Sequence, residues 1–106
     1  SVSTVAITRA IRSTSVKGIK VRKGGFIGLV DDDLVCSGRS ASKVLLEALA
    51  HANARLGSLV TLYWGNGVDQ SDADKVAKQI RKDYPNLEVE VFWGAQPLYQ
   101  YIVSVE

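Results

Sequence analysis

Leu59-Val60-Thr61-Leu62-Tyr63-Trp64 and Leu87-Glu88-Val89-Glu90-Val91-Phe92-Trp93, with one helical stretch between them, decide the fold of this chain. The first run is short and nearly all apolar, the pattern of a strand covered on both faces or central in its sheet. Gly65-Asn66-Gly67 breaks it. In the second run Leu87, Val89 and Val91 alternate with Glu88 and Glu90, a strand with one buried and one wet face. Between the two, residues 71–83 carry Val76, Ala77 and Ile80 at helical spacing, a narrow apolar face. Ser71-Asp72-Ala73-Asp74 reads as a capping box with Asp in place of the usual Glu. Arg81 and Lys82 fall in the last turn, where the helix dipole favours cations. A strand, a helix and a strand in this order set the strands parallel, with a right-handed crossover.

Upstream, residues 40–55 form another helix. Val44, Leu45, Ala48, Leu49, Ala52 and Leu56 make one apolar stripe, Ser40 or Ser42 caps its start, and Gly57 follows as a left-handed stop. Before it, Phe26-Ile27-Gly28-Leu29-Val30 and Leu34-Val35-Cys36 flank Asp31-Asp32-Asp33, a β-hairpin whose turn needs a residue at positive φ. The basic, glycine-rich segment 17–25 is a turn or short hairpin arm. Val5, Ile7 and Ile11 at period two mark a first strand with one buried face, and residues 98–105 form a last extended segment. The expected order is β-β-β-α-β-α-β-β. Two helices with one apolar stripe each, against strands with a polar opposite face, predict a two-layer α/β (α+β) domain: a mixed sheet with both helices on one face.

The chain has 106 residues, one domain's worth, with 46% hydrophobic and 23% charged residues. No apolar run approaches the roughly 20 residues of a membrane helix, so no membrane insertion is expected. A net charge of +2 gives no reason to expect nucleic acid. Cys36 is the only cysteine and His51 the only histidine. That excludes an internal disulfide, favours a reducing, cytoplasmic home, and leaves a zinc site without its usual ligands. There is no Met, even at position 1, so the chain is expected to be a piece of a longer protein.

The candidate site follows from the strand ends. Tyr63-Trp64-Gly65 and Phe92-Trp93-Gly94 leave the sheet at the same edge, where open α/β sheets favour ligands. Trp64 and Trp93 either cap the core or join a contact surface. The stretch Gly94-Ala95-Gln96-Pro97-Leu98-Tyr99-Gln100-Tyr101 is denser in aromatic and amide groups than a turn requires. Gln96, Leu98, Tyr99 and Tyr101, with Asn66 and Arg12, are the candidate partner-binding residues. Arg12 otherwise reads as a charge that blunts a strand edge. Gly65-x-Gly67 lacks the third glycine of a dinucleotide loop, and Asp69, Asp72 and Asp74 would repel phosphate. Asp31-Asp32-Asp33 reads as a solvated turn, Cys36 as a core residue, His51 as a surface or boundary residue, and Lys17, Lys20, Arg22 and Lys23 as a solvated arm. The residues supply no phosphate loop, metal cluster or nucleophile–base pair, so no catalytic, cofactor-binding or metal-ligating residue is assigned and no ATP binding is expected.

The ending Gly94-Ala95-Gln96-Pro97-Leu98-Tyr99-Gln100-Tyr101-Ile102-Val103-Ser104-Val105-Glu106 resembles the C-terminal signature of bacterial dihydroxyacetone-kinase-like proteins, the family of the larger, ATP-binding fatty acid kinase component. Ala10-Ile11-Arg12, Gly24, Phe26-Ile27-Gly28-Leu29, Asp31, Leu34-Val35, Gly38, Val60-Thr61-Leu62-Tyr63, Gly65 and Tyr84-Pro85 agree in order. The sequence departs from the pattern at Ala95, where the family usually has a second glycine, at Ser13, where it has Asp, and at Asp32, where it favours Gly. The resemblance implies a single C-terminal domain of a larger fatty acid kinase protein, similar to a DegV-type subdomain. ATP and metal sites would then lie in other domains. The module would dock a fatty-acid-binding DegV-family protein, whose acyl carboxylate the ATP-binding domain phosphorylates. The other readings are a fatty-acid or small-ligand-binding domain in its own right, and a structural module that forms a homodimer.

Overall fold

The computed structural model describes residues 2–106. The elements run β1 (Ser3–Arg9), β2 (Thr14–Val16), β3 (Ile19–Val21), β4 (Phe26–Val30), β5 (Asp33–Gly38), α1 (Ala41–His51), a 3-10 turn (Ala54–Leu56), β6 (Leu59–Trp64), α2 (Gln70–Asp83), β7 (Glu88–Trp93) and β8 (Tyr99–Val105). Six strands form one mixed sheet in the order β5-β4-β1-β8-β6-β7, while β2 and β3 pair as a separate small hairpin. β6 and β7 are parallel, and every other neighbouring pair is antiparallel. The β-α-β unit, the acidic hairpin and the mixed α+β architecture all stand as the sequence predicts. The segment after the first strand adds the two short strands of the arm to the expected order.

One core forms between the helices and one face of the sheet. Val5, Ile7, Val60, Leu62 and Val103 rise from the strands to meet Val44, Leu45, Ala48 and Leu49 of α1 and Ala73, Val76, Ala77 and Ile80 of α2. The period-two and helical stripes are therefore complementary surfaces, each fully buried aliphatic side chain contributing about 1.5–3 kcal/mol. Gly28 sets how closely α1 lies on the sheet: a Cβ there would sit 2.7 Å from Cys36 Sγ and 3.1 Å from Val44 Cγ1.

Local signals place four boundaries differently from the sequence reading. β1 ends at Arg9, so Ile11 is 86% exposed instead of continuing the buried face, and Arg12 lies in the bend beyond the strand. α1 stops at His51. Asn53 takes the left-handed conformation (φ 55°) expected of Gly57, and Leu56 falls on a 3-10 turn, exposed. Asn tolerates that backbone region through its short polar side chain. α2 is capped by Asp69, which accepts hydrogen bonds from Asp72 N (2.9 Å) and Ser71 Oγ (2.8 Å), and not by Ser71. β6 is interior in the sheet, yet only Val60 and Leu62 are covered; Tyr63 points to the uncovered face.

Candidate functional site

Strand direction gathers the candidate residues. β5, β1, β6 and β7 run the same way, so their carboxyl ends share one rim, and both helices start there. Two loops meet on it. Asn66 N donates to Gln96 O (3.0 Å), Gly65 N to Gln100 O (2.9 Å) and Gly94 N to Trp64 O (2.8 Å). Gln96 Nε2 donates to Tyr63 O at 2.9 Å. The contact is too close for a side chain at position 65, where a Cβ would lie 2.6 Å from both Gln96 O and Tyr99 O. At Gly94 an added Cβ would collide with Gln96 Oε1. Ala95 is held at φ 59°, the left-handed region that glycine tolerates better.

The six predicted residues do not form one patch. Leu98 is 71% exposed, Asn66 is exposed, and Gln96 and Tyr99 are half-buried; these four share the rim loops. Gln96 spends its amide inward, joining the loops. Tyr99 pairs with Thr8, whose Oγ1 donates to Leu98 O at 2.7 Å. Tyr101 is 1% exposed, opposite Ile7 and Trp64 on the helix-covered face, so its ring is core and is not displayed to a partner. Arg12 sits with Ile11, Val16, Ile27 and Leu34 around a separate hollow of about 170 Å³ beside the β2–β3 arm. The tryptophans divide between the two readings. Trp64 packs against the core, while Trp93 is 68% exposed, its ring centroid 6.3 Å from that of Trp64.

A further apolar surface went unread in the sequence. Register aligns Leu34, Leu29, Ala6, Ile102, Tyr63 and Phe92 as one row across all six strands, on the face away from the helices. None of the six is fully buried, and the Tyr63 and Phe92 rings stack at 5.9 Å. The signal was present in the apolar residues out of phase with Val60 and Leu62.

On the helix side of the rim lies a crevice of about 480 Å³ between the starts of α1 and α2. Arg9 forms one wall, its guanidinium 4.5 Å above the Phe26 ring and Nη1 donating to Gly24 O at 2.7 Å. Burial first, then the carboxylates of Asp72 and Asp69, push the Tyr101 hydroxyl to about 12. Hydrogen bonds from Asp72 N and Ser71 hold Asp69 below the usual carboxylate range. Burial, then Glu47, raises the Cys36 thiol to about 11. Asp31 and Asp32 form the exposed hairpin turn at φ 48° and 72°, and His51 is exposed. Among the described residues, no three His, Cys, Asp or Glu side chains cluster to hold a metal, and no helix is long and apolar enough to cross a membrane.

Fold and rim together define a small two-layer α+β module with an uncovered apolar sheet face. The chain belongs to the FakA-like C-terminal family of fatty acid kinases, whose model matches residues 1–106. It is 34% identical over 106 residues to uncharacterized proteins of Staphylococcus aureus strains USA300 and NCTC 8325 / PS 47, and 33% identical to one of the bovine strain RF122 / ET3-1. Each match covers 100% of this chain and 19% of the relative, so the chain spans about a fifth of the length of these relatives.

Proposed function

We propose that this module is the docking surface of a fatty acid kinase. It receives a DegV-family fatty-acid-binding protein, whose acyl carboxylate an ATP-binding domain elsewhere in the kinase then phosphorylates. In this reading the module performs no chemistry and holds no ATP or metal. Family membership supplies the kinase context. The observation that carries docking is the apolar row from Leu34 to Phe92, which runs toward a rim bearing Trp93 and Leu98. Exposed apolar surface of this extent on a small domain marks an interaction site. Aromatic side chains dominate binding hot spots, and the hydrogen-bonded rim loops keep the ordering cost low.

The test is calorimetric titration of the module with an acyl-loaded DegV-family protein. Phe92→Asp and Leu98→Asp should abolish binding while leaving the melting temperature near wild type. Wild-type affinity in both variants would exclude this surface. A second copy could cover the same row, and sedimentation velocity across protein concentrations separates that case.

A further inference from the structure

The crevice between the helix starts holds a polar side chain that the fold leaves without a partner. Gln100 is 4% exposed, lines the crevice, and its Oε1 has no hydrogen-bond partner among the described residues. An orphaned buried acceptor destabilises a folded protein and calls for an explanation. Its placement is built by the backbone. In the pairing of β1 with β8, Ile7 faces Tyr101 and Thr8 faces Tyr99, so Gln100 is the extra residue of a β-bulge. Without the bulge, strand alternation would turn position 100 to the uncovered face, opposite to Tyr101. Bulges recur beside functional sites because they re-aim a side chain.

The walls carry complementary chemistry. α1 opens the crevice with Ser40, Ala41 and Ser42, and its first turn contains no acidic residue to answer the free N–H groups. The Ser40 and Ser42 hydroxyls lie 3.0 Å apart, and Arg9 adds a full positive charge. That side suits an anion. The other side presents the Asp72 carboxylate with Gln100, both acceptors, which suits a donor or cation. Phe26, Val76 and Tyr101 supply apolar surface between them.

We infer that this crevice binds a small carboxylate bearing an ammonium or hydroxyl group on the neighbouring carbon. The carboxylate meets Arg9 and the α1 start; the donor group meets Gln100 Oε1 and Asp72. This inference is independent of the docking surface, which lies on the uncovered face and the outer rim.

The experiment is ¹H–¹⁵N NMR titration of the chain with L-serine, and separately with acetate, inorganic phosphate and methylammonium. L-Serine should give saturable shifts at residues 40–43 and 100, and the single-charge probes should bind much more weakly. Gln100→Leu should weaken L-serine binding by about tenfold or more and raise the melting temperature, because it removes an unpaired buried acceptor. A purely structural Gln100 would instead lower the melting temperature on substitution. Arg9→Gln should weaken binding comparably and gives a second readout if Gln100→Leu does not fold. Absence of saturable L-serine shifts, equal binding of acetate or phosphate, or L-serine binding unchanged in Gln100→Leu or Arg9→Gln would overturn the assignment.

Discussion

Replacing Tyr101 separates a packing role from a docking role. Its ring is among the largest fully buried side chains, at 1% exposure, opposite Ile7 on β1 and Trp64 on β6. Tyr101→Ala deletes the ring from the junction of these strands and leaves a cavity that backbone pairing on both sides keeps from collapsing. Large aromatic-to-alanine changes in cores cost about 3–5 kcal/mol. Small domains have about 5–15 kcal/mol in total, so the melting temperature should fall by more than about 10 °C. Tyr101→Phe keeps the ring and removes only the hydroxyl, so it should fold and bind the DegV-family partner as wild type does. Thermal denaturation by circular dichroism, with calorimetric binding well below each midpoint, provides the assay. If Tyr101→Ala melts within a degree or two of wild type yet loses the partner, the ring faces outward and the core placement is wrong.

Ala95→Gly should stabilise the chain by roughly 0.5–1 kcal/mol, since φ 59° strains an alanine more than a glycine; urea denaturation measures it, and a loss of stability would show that the Ala95 methyl packs productively. A charge on the uncovered row should act on binding alone: Phe92→Asp weakens the partner complex by about 2 kcal/mol or more, roughly thirtyfold, whereas a large drop in melting temperature would mean that the face is packed. Cys36 should react with thiol reagents at pH 8 at least about a hundredfold more slowly than a free thiol, because its raised value of about 11 leaves little thiolate; fast labelling of the native chain would contradict its burial. Stability should decline in alkali. Both Cys36 and Tyr101 have raised folded values, so their contribution is complete below the ordinary values of 9.0 and 10.0 and is lost as pH rises toward about 11 and about 12. Tyr101→Phe should flatten the upper part of that decline, and an unchanged profile would remove Tyr101 as its cause.

The parts of the fold that were legible in the sequence rest on repeated local signals. Leu87, Val89 and Val91, or Val44, Leu45, Ala48 and Leu49, state their buried face several times over, and tertiary structure only had to agree. The boundaries that moved rest on single residues. Ile11 continues the period of Val5 and Ile7, but the chain leaves the sheet when Ala10 N donates to Gly25 O and Gly24 N to Ala10 O. Asn53 took the left-handed position ahead of Gly57, and Asp69 capped α2 because its carboxylate reached Asp72 N first. No pattern in sequence distinguishes such competitors. Tyr101 was misplaced for a different reason. Its phase depends on the bulge at Gln100, which shifts register by one residue and is fixed by pairing with β1, at the other end of the chain. The same shift buries Tyr101 and aims Gln100, so the sequence could not show either without the other.

The register also explains why the rim and the uncovered face belong to one surface. Tyr63 and Phe92 end the row on β6 and β7, one residue before Trp64 and Trp93. A side chain at 63 or 92 therefore faces away from the helices, and its successor faces toward them. The glycines at 65 and 94 follow directly, and the loops they open are tied across by Asn66, Gln96 and Gln100. A partner seated on Phe92 and Tyr63 thus lies one strand step from Leu98 and Trp93. It cannot press on that edge without meeting the loop whose strained residue is Ala95. If the docking reading holds, Ala95→Gly should relax the loop and make the free state more mobile. Binding enthalpy and entropy would then shift in opposite senses, with entropy less favourable, even though no contact with the partner is changed. Calorimetry of Ala95→Gly beside Leu98→Asp tests this coupling: unchanged enthalpy and entropy in the glycine variant would mean that the loop stands apart from the interface.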